Sequence, residues 1–109
     1  MSKVTSLFST PIYHGSLFEN GHIDVSELEK SCRSIAGEDL AGHDWCVKNG
    51  FAGYTSYASL YDLGWHFPIF KELQKIIDHH VSEFTLELDW DLGNKKIILD
   101  YFWINILPE

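Results

Sequence analysis

The sequence predicts an α+β domain on three observations. Apolar residues recur at helical spacing over 25–35 and again over 68–88, short β-branched and aromatic runs separate them, and a final run over 95–107 is apolar on both faces. With 109 residues there is room for one domain. An apolar fraction of 45% against 22% charged residues belongs to a chain that folds around a core, which excludes disordered and low-complexity classes. Aromatic residues reach 15%, and rings of that size need a core, an interface or a ligand cleft.

Residues 7–13, LFSTPIY, are apolar and β-branched but interrupted by Pro11, whose missing N–H restricts the run to an edge strand. After the turn-like Glu19-Asn20-Gly21, Asp24 precedes Val25, Leu28, Cys32 and Ile35, and Glu27 three residues on completes a capping-box pattern. This helix is expected to end near Gly37, which suits a left-handed cap. Residues 38–53 read as a loop punctuated by Gly42, Gly50 and Gly53, with a short strand only at 45–47. Residues 54–57 alternate aromatic and hydroxyl side chains, as a strand with one aromatic face does.

Pro68 is favourable at a first helical position and opens the longest helix, to about Leu88. Its face is Ile69, Phe70, Leu73, Ile76, Ile77, Val81, Phe84 and Leu88. Gly93 and Asn94 break that pattern. In KKIILDYFWINIL, Ile97, Leu99, Tyr101 and Trp103 then alternate with Ile98, Phe102, Ile104 and Ile106, which predicts a strand inside a sheet covered on both sides.

Eight Lys and Arg oppose sixteen Asp and Glu, and a net charge of −8 repels the phosphates of nucleic acids and anionic membranes. Neither is therefore expected as a partner. No run of about 18 apolar residues and no export signal occurs, so a soluble cytoplasmic protein is expected. Cys32 and Cys46 have no CxxC spacing and read as free thiols.

The chemistry-bearing residues are few. His22-Ile23-Asp24 has the H-x-D spacing of a two-His-one-carboxylate iron site. Six His and eight Asp make such a pair an ordinary coincidence, however, and Asp24 as a helix N-cap also explains Glu27 and the apolar spacing that follows. His22 and Asp24 are accordingly rejected as metal ligands. His79 and His80 adjoin on a helix, where neighbours point about 100 degrees apart, so they cannot share one metal. Cys46 has only Lys48 nearby to lower its pKa and is no candidate nucleophile. Asp100 and Asn105 are polar exceptions in an apolar run. Each either tethers neighbouring backbone or, for Asn105 near the run's end, faces a ligand cavity.

The order LFSTPIY, capped helix, GFAGYTSYASLYDL, HFPIFKEL, FWINILPE resembles the amino-terminal half of a family of 2-oxoglutarate and Fe(II) dependent oxygenases, distant relatives of the prolyl hydroxylases. There an opening LF-x-TP-I/V-Y, a GY-x-S followed by DL, a P-x-F-x-x-L helix start and a W-x-N strand occur in the same order. The likeness covers residues 7–107. It implies an incomplete double-stranded β-helix, or jelly roll, with two flanking helices, the longer at about 68–88. It further implies Fe(II) and 2-oxoglutarate as cofactors of an intact protein that hydroxylates a small-molecule or peptide substrate.

By the same resemblance, residues 1–109 are the amino-terminal part of one oxygenase-like domain. The metal-binding His residues and the basic clamp for 2-oxoglutarate are expected beyond Glu109, so no catalytic or metal-binding residue is assigned here. Trp103 and Asn105 carry over as cavity-lining residues, with Tyr54 and Ser56 of the GY-x-S strand as lesser ones. An open sheet of this kind is expected to self-associate. The alternative reading is a small acidic, aromatic-rich binding module without catalysis.

Overall fold

The computed structural model describes residues 2–18 and 23–109. Among them are four helices and a single two-stranded sheet: α1 (Val25–Glu38), α2 (Leu40–Asn49), β1 (Tyr54–Thr55), α3 (Leu63–His66), α4 (Pro68–Glu87) and β2 (Asn105–Ile106). The expected jelly roll is therefore not the fold. β1 and β2 pair antiparallel, with Tyr54 opposite Ile106 and Thr55 opposite Asn105, and the described residues form no further ladder.

The physical reason lies in the segments that were to supply partner strands. Residues 38–53 are mostly α2, not loop and strand. Asp39 caps the start by accepting from the Gly42 N–H at 3.0 Å, and Gly50 ends it in the left-handed region at φ 68°. Residues 7–13 join no ladder either, and Leu7, Phe8 and Ile12 stand exposed in a segment exposed from residue 2 to 12. That outlying segment fits a radius of gyration of 18.4 Å, where about 13 Å is typical of a compact chain of this length. Without neighbours the apolar run 95–107 reduces to the two residues of β2. Ile97, Ile98, Trp103 and Leu107 remain exposed, and Ile104 alone of that run is buried.

The two predicted helices form where their sequence signals lie. Asp24 Oδ1 accepts from the Glu27 N–H at 3.1 Å at the start of α1, which runs one residue past Gly37. Pro68 opens α4, and Leu88 is its C-cap. Both helices are amphipathic and pack on each other across Ile23, Ile35, Ala36, Ile69, Phe70 and Ile76, with Tyr54, Leu63 and Ile104 completing the core. The second half of the α4 face is only half-buried at Ile77, Val81 and Phe84, where Tyr13 and Leu17 cover it.

That cover is fixed by His80. Its Nε2 lies 2.7 Å from the Ser16 carbonyl, which can only accept, so Nε2 carries the proton and the neutral ring's Nδ1 accepts from the Tyr13 hydroxyl at 2.7 Å. Gly15 permits the approach, because a Cβ there would overlap the imidazole. No described helix is long and apolar enough to cross a membrane.

Candidate functional site

An open groove of about 580 Å³ lies between α1, α4 and the C-terminal segment. One wall is a single face of α1, Val25, Leu28, Glu29, Cys32 and Arg33, at the three- and four-residue spacing that stacks side chains along a helix. Phe70 and Leu73, three apart on α4, form the floor with Ile104. The opposite wall runs from Phe102 to Leu107 and so includes Trp103 and Asn105.

Asn105 is held there by its strand partner: the Thr55 hydroxyl donates to Asn105 Oδ1 at 2.6 Å. Asn105 thus lines the groove while its side chain is tied to β1. Asp100, the other polar exception, is exposed. At the groove's rim Arg33 Nε donates to Glu29 Oε1 at 3.2 Å, an exposed pair of little energetic weight. Burial, followed by the nearby Glu29 charge, pushes the Cys32 thiol up, so it stays protonated at neutral pH and offers no nucleophile. The groove is thus largely apolar, with the Asn105 amide on one wall and the exposed Glu29–Arg33 pair on the other.

Tyr54 and Ser56 lie elsewhere. Ser56 is completely buried and acts as a backbone clamp: its N–H donates to the Ile104 carbonyl at 3.0 Å, and its Oγ accepts from the Ile104 N–H at 2.8 Å. Tyr54 donates to Asp39 Oδ2 at 2.7 Å, and Ser59 donates to the same oxygen at 2.5 Å. Partial burial opposes ionisation of Asp39. The hydroxyls of Ser59 and Tyr54, the Gly42 N–H and the neighbouring His43 outweigh it and hold the carboxyl below the usual carboxylate range. Burial and the same carboxylate push the Tyr54 hydroxyl far above its ordinary value. This knot is structural, since its polar groups are occupied by one another.

His22 lies outside the described residues, and the Asp24 carboxylate is occupied as the cap of α1. Among the described residues no group of three His, Cys, Asp or Glu is gathered as a metal site would need. Both cysteines are free. Cys46 is buried against β1, where its Sγ lies 3.4 Å from the Thr55 N–H.

A second surface escaped the sequence. Trp45, Tyr57, Trp103, Tyr101 and Tyr61 form a continuous row, with successive ring centroids 6.3, 5.1, 5.7 and 5.7 Å apart. Only the Tyr101–Trp103 step has the i, i+2 spacing of an extended segment, so the row arises from tertiary placement. The α1 and α4 walls of the groove were also missed, although Leu28 and Cys32 on one helix and Phe70 and Leu73 on the other already stood out as apolar faces.

No protein-family model matches the chain, and no curated protein matches it.

Proposed function

We propose that these 109 residues are the amino-terminal, supporting portion of a 2-oxoglutarate and Fe(II) dependent oxygenase, furnishing part of a substrate or cofactor pocket but none of its catalytic groups. The observation that supports this reading is the location of the W-x-N segment. Trp103 and Asn105, the residues that the resemblance marks as cavity-lining, stand on the wall of the α1–α4 groove, and Asn105 is pinned to the GY-x-S strand through Thr55. In the intact enzyme the chemistry supplied with Fe(II) and 2-oxoglutarate would be oxidative hydroxylation of a substrate C–H bond, and none of the described residues is assigned to hold either group. The apolar α1–α4 groove would supply a dry wall for a substrate, oriented by the Asn105 amide.

Such a metal needs three ligands with open positions beside them, and this chain is expected to lack them. The test has two arms. The coding sequence following Glu109 is expected to carry an H-x-H/D/E within about fifteen residues, the ligand spacing of a facial iron site. The chain alone, given Fe(II) and 2-oxoglutarate, is expected to release no succinate above the background of free iron. Absence of that downstream motif would overturn the reading in favour of the acidic, aromatic-rich binding module. Succinate release abolished by His22→Ala would overturn the claim that these residues carry no ligand.

A further inference from the structure

Away from the groove, a recess of about 250 Å³ opens between the start of α4 and the segment around residue 100. Four aromatic residues line it, Tyr61, Trp65, Tyr101 and Phe102, together with two carboxylates, Asp62 and Asp100. Tyr61 and Tyr101 meet edge to face at 5.7 Å and 75°. Trp65, on the short helix α3, is 81% exposed, far more than a ring held in place by core packing.

What this wall attracts is visible in the chain itself. The Lys71 ammonium sits 4.5 Å from the centroid of the Trp65 ring, and its stem passes close over Gly64, where a Cβ would be 3.1 Å from Lys71 Cγ. A primary ammonium is strongly hydrated and gains little from an exposed ring. A cation without N–H donors leaves no hydrogen bond unmade when it enters an aromatic recess, and the ring faces and carboxylates stabilise its charge together. Asp62 also faces His66 Nε2 at 3.4 Å, an exposed contact that leaves its carboxylate on the rim. The net charge of −8 adds a favourable long-range field.

We propose that this recess is a binding site for a quaternary ammonium group, with Lys71 as an intramolecular occupant that such a ligand displaces from Trp65. The site shares only Phe102 with the lining of the α1–α4 groove and does not depend on the oxygenase reading.

The test is a titration followed by the Trp65 indole N–H resonance, identified by its loss in Trp65→Leu. Choline is the probe and 3,3-dimethylbutanol its neutral isostere. Choline is expected to shift the resonance saturably, more weakly as salt rises, while the isostere does not. Lys71→Ala is expected to tighten choline binding about two- to fivefold by vacating the ring, and Tyr61→Leu to weaken it by a similar factor. Tyr61, Trp65 and Lys71 are all exposed, so these variants keep the fold. A peptide carrying trimethyllysine separates the sources: binding well above that of choline assigns the site to a modified protein, equal binding to a small ligand. Equal binding of choline and the isostere, or weaker choline binding after Lys71→Ala, would overturn the assignment, as would no binding of either probe.

Discussion

Residues 39–63 and residues 88–103 are both rich in aromatic and aliphatic side chains, yet only the first region buries any of them. Gly42, Cys46, Tyr54, Thr55, Ser56 and Leu63 are buried there, whereas no residue from 88 to 103 is. The difference is polar. In the first region Asp39, Thr55, Ser56 and Ser59 provide short hydrogen bonds that satisfy hydroxyls and backbone groups away from water, as at Ile104, whose N–H ends on the Ser56 hydroxyl. In the second the long-range tie is the Leu99 N–H to Asp78 Oδ1 at 3.0 Å, and Trp90 and Ile98 face water. Apolar content supplies the driving force, but non-ladder backbone goes inside only where side chains receive its N–H and C=O groups.

Substitutions can break this contrast in graded steps. Phe70 is 1% exposed and underlies both regions, with Phe102 at 5.9 Å between ring centroids, so Phe70→Ala is expected to cost about 3 to 5 kcal/mol in chemical denaturation. Asp39→Ala leaves the Tyr54 and Ser59 hydroxyls without their acceptor and is expected to cost about 1 to 3 kcal/mol, with Asp39→Asn costing less. Because the folded carboxyl lies below its ordinary value of 3.8, its contribution is complete above that pH and is lost as pH falls through the folded value. The gap between wild type and Asp39→Asn should therefore close on acidification below about pH 4. A gap that widened there would break the polar account of the first region.

Asp24→Ala should cost about 0.5 to 2 kcal/mol through loss of the α1 cap, and Asp24→Asn almost nothing. Asn as damaging as Ala would mean that the charge itself matters. The smallest effect is expected in the second region, where Ile98→Thr should change stability by no more than about 0.5 kcal/mol. Sedimentation at rising concentration sharpens the contrast, since that change should reduce any self-association through the exposed 95–107 segment.

What the sequence disclosed divides along the same line. α1 and α4 were legible because cap and period are local, Asp24 before Val25 and Pro68 before an apolar pattern sustained over the 20 residues of α4. α2 was not, since its interior carries Gly42 and no regular apolar stripe; its readable trace is Asp39 three residues before Gly42 with Gly50 closing the far end. The glycine is in place because Asp39 and Ser59 crowd the space a Cβ would need. The strands at 7–13 and 95–107 failed for the opposite reason. Alternation describes a residue's readiness to pair, and pairing needs neighbours that no local pattern guarantees. At the groove, Trp103 and Asn105 were singled out, whereas the facing wall on α1 and the Tyr61–Trp65–Tyr101 recess depend on contacts between distant residues that spacing does not encode.

The histidine clasp on α4 has a mechanical side. With Nε2 committed to the Ser16 carbonyl and Nδ1 to the Tyr13 hydroxyl, one imidazole grips the chain on either side of Gly15. Residues 2–12 extend beyond that grip with their apolar side chains in water. The segment is thus anchored to the half-buried end of α4 by the His80 ring and by Tyr13 packed on Phe84, and Leu7 and Phe8 lie beyond that anchor.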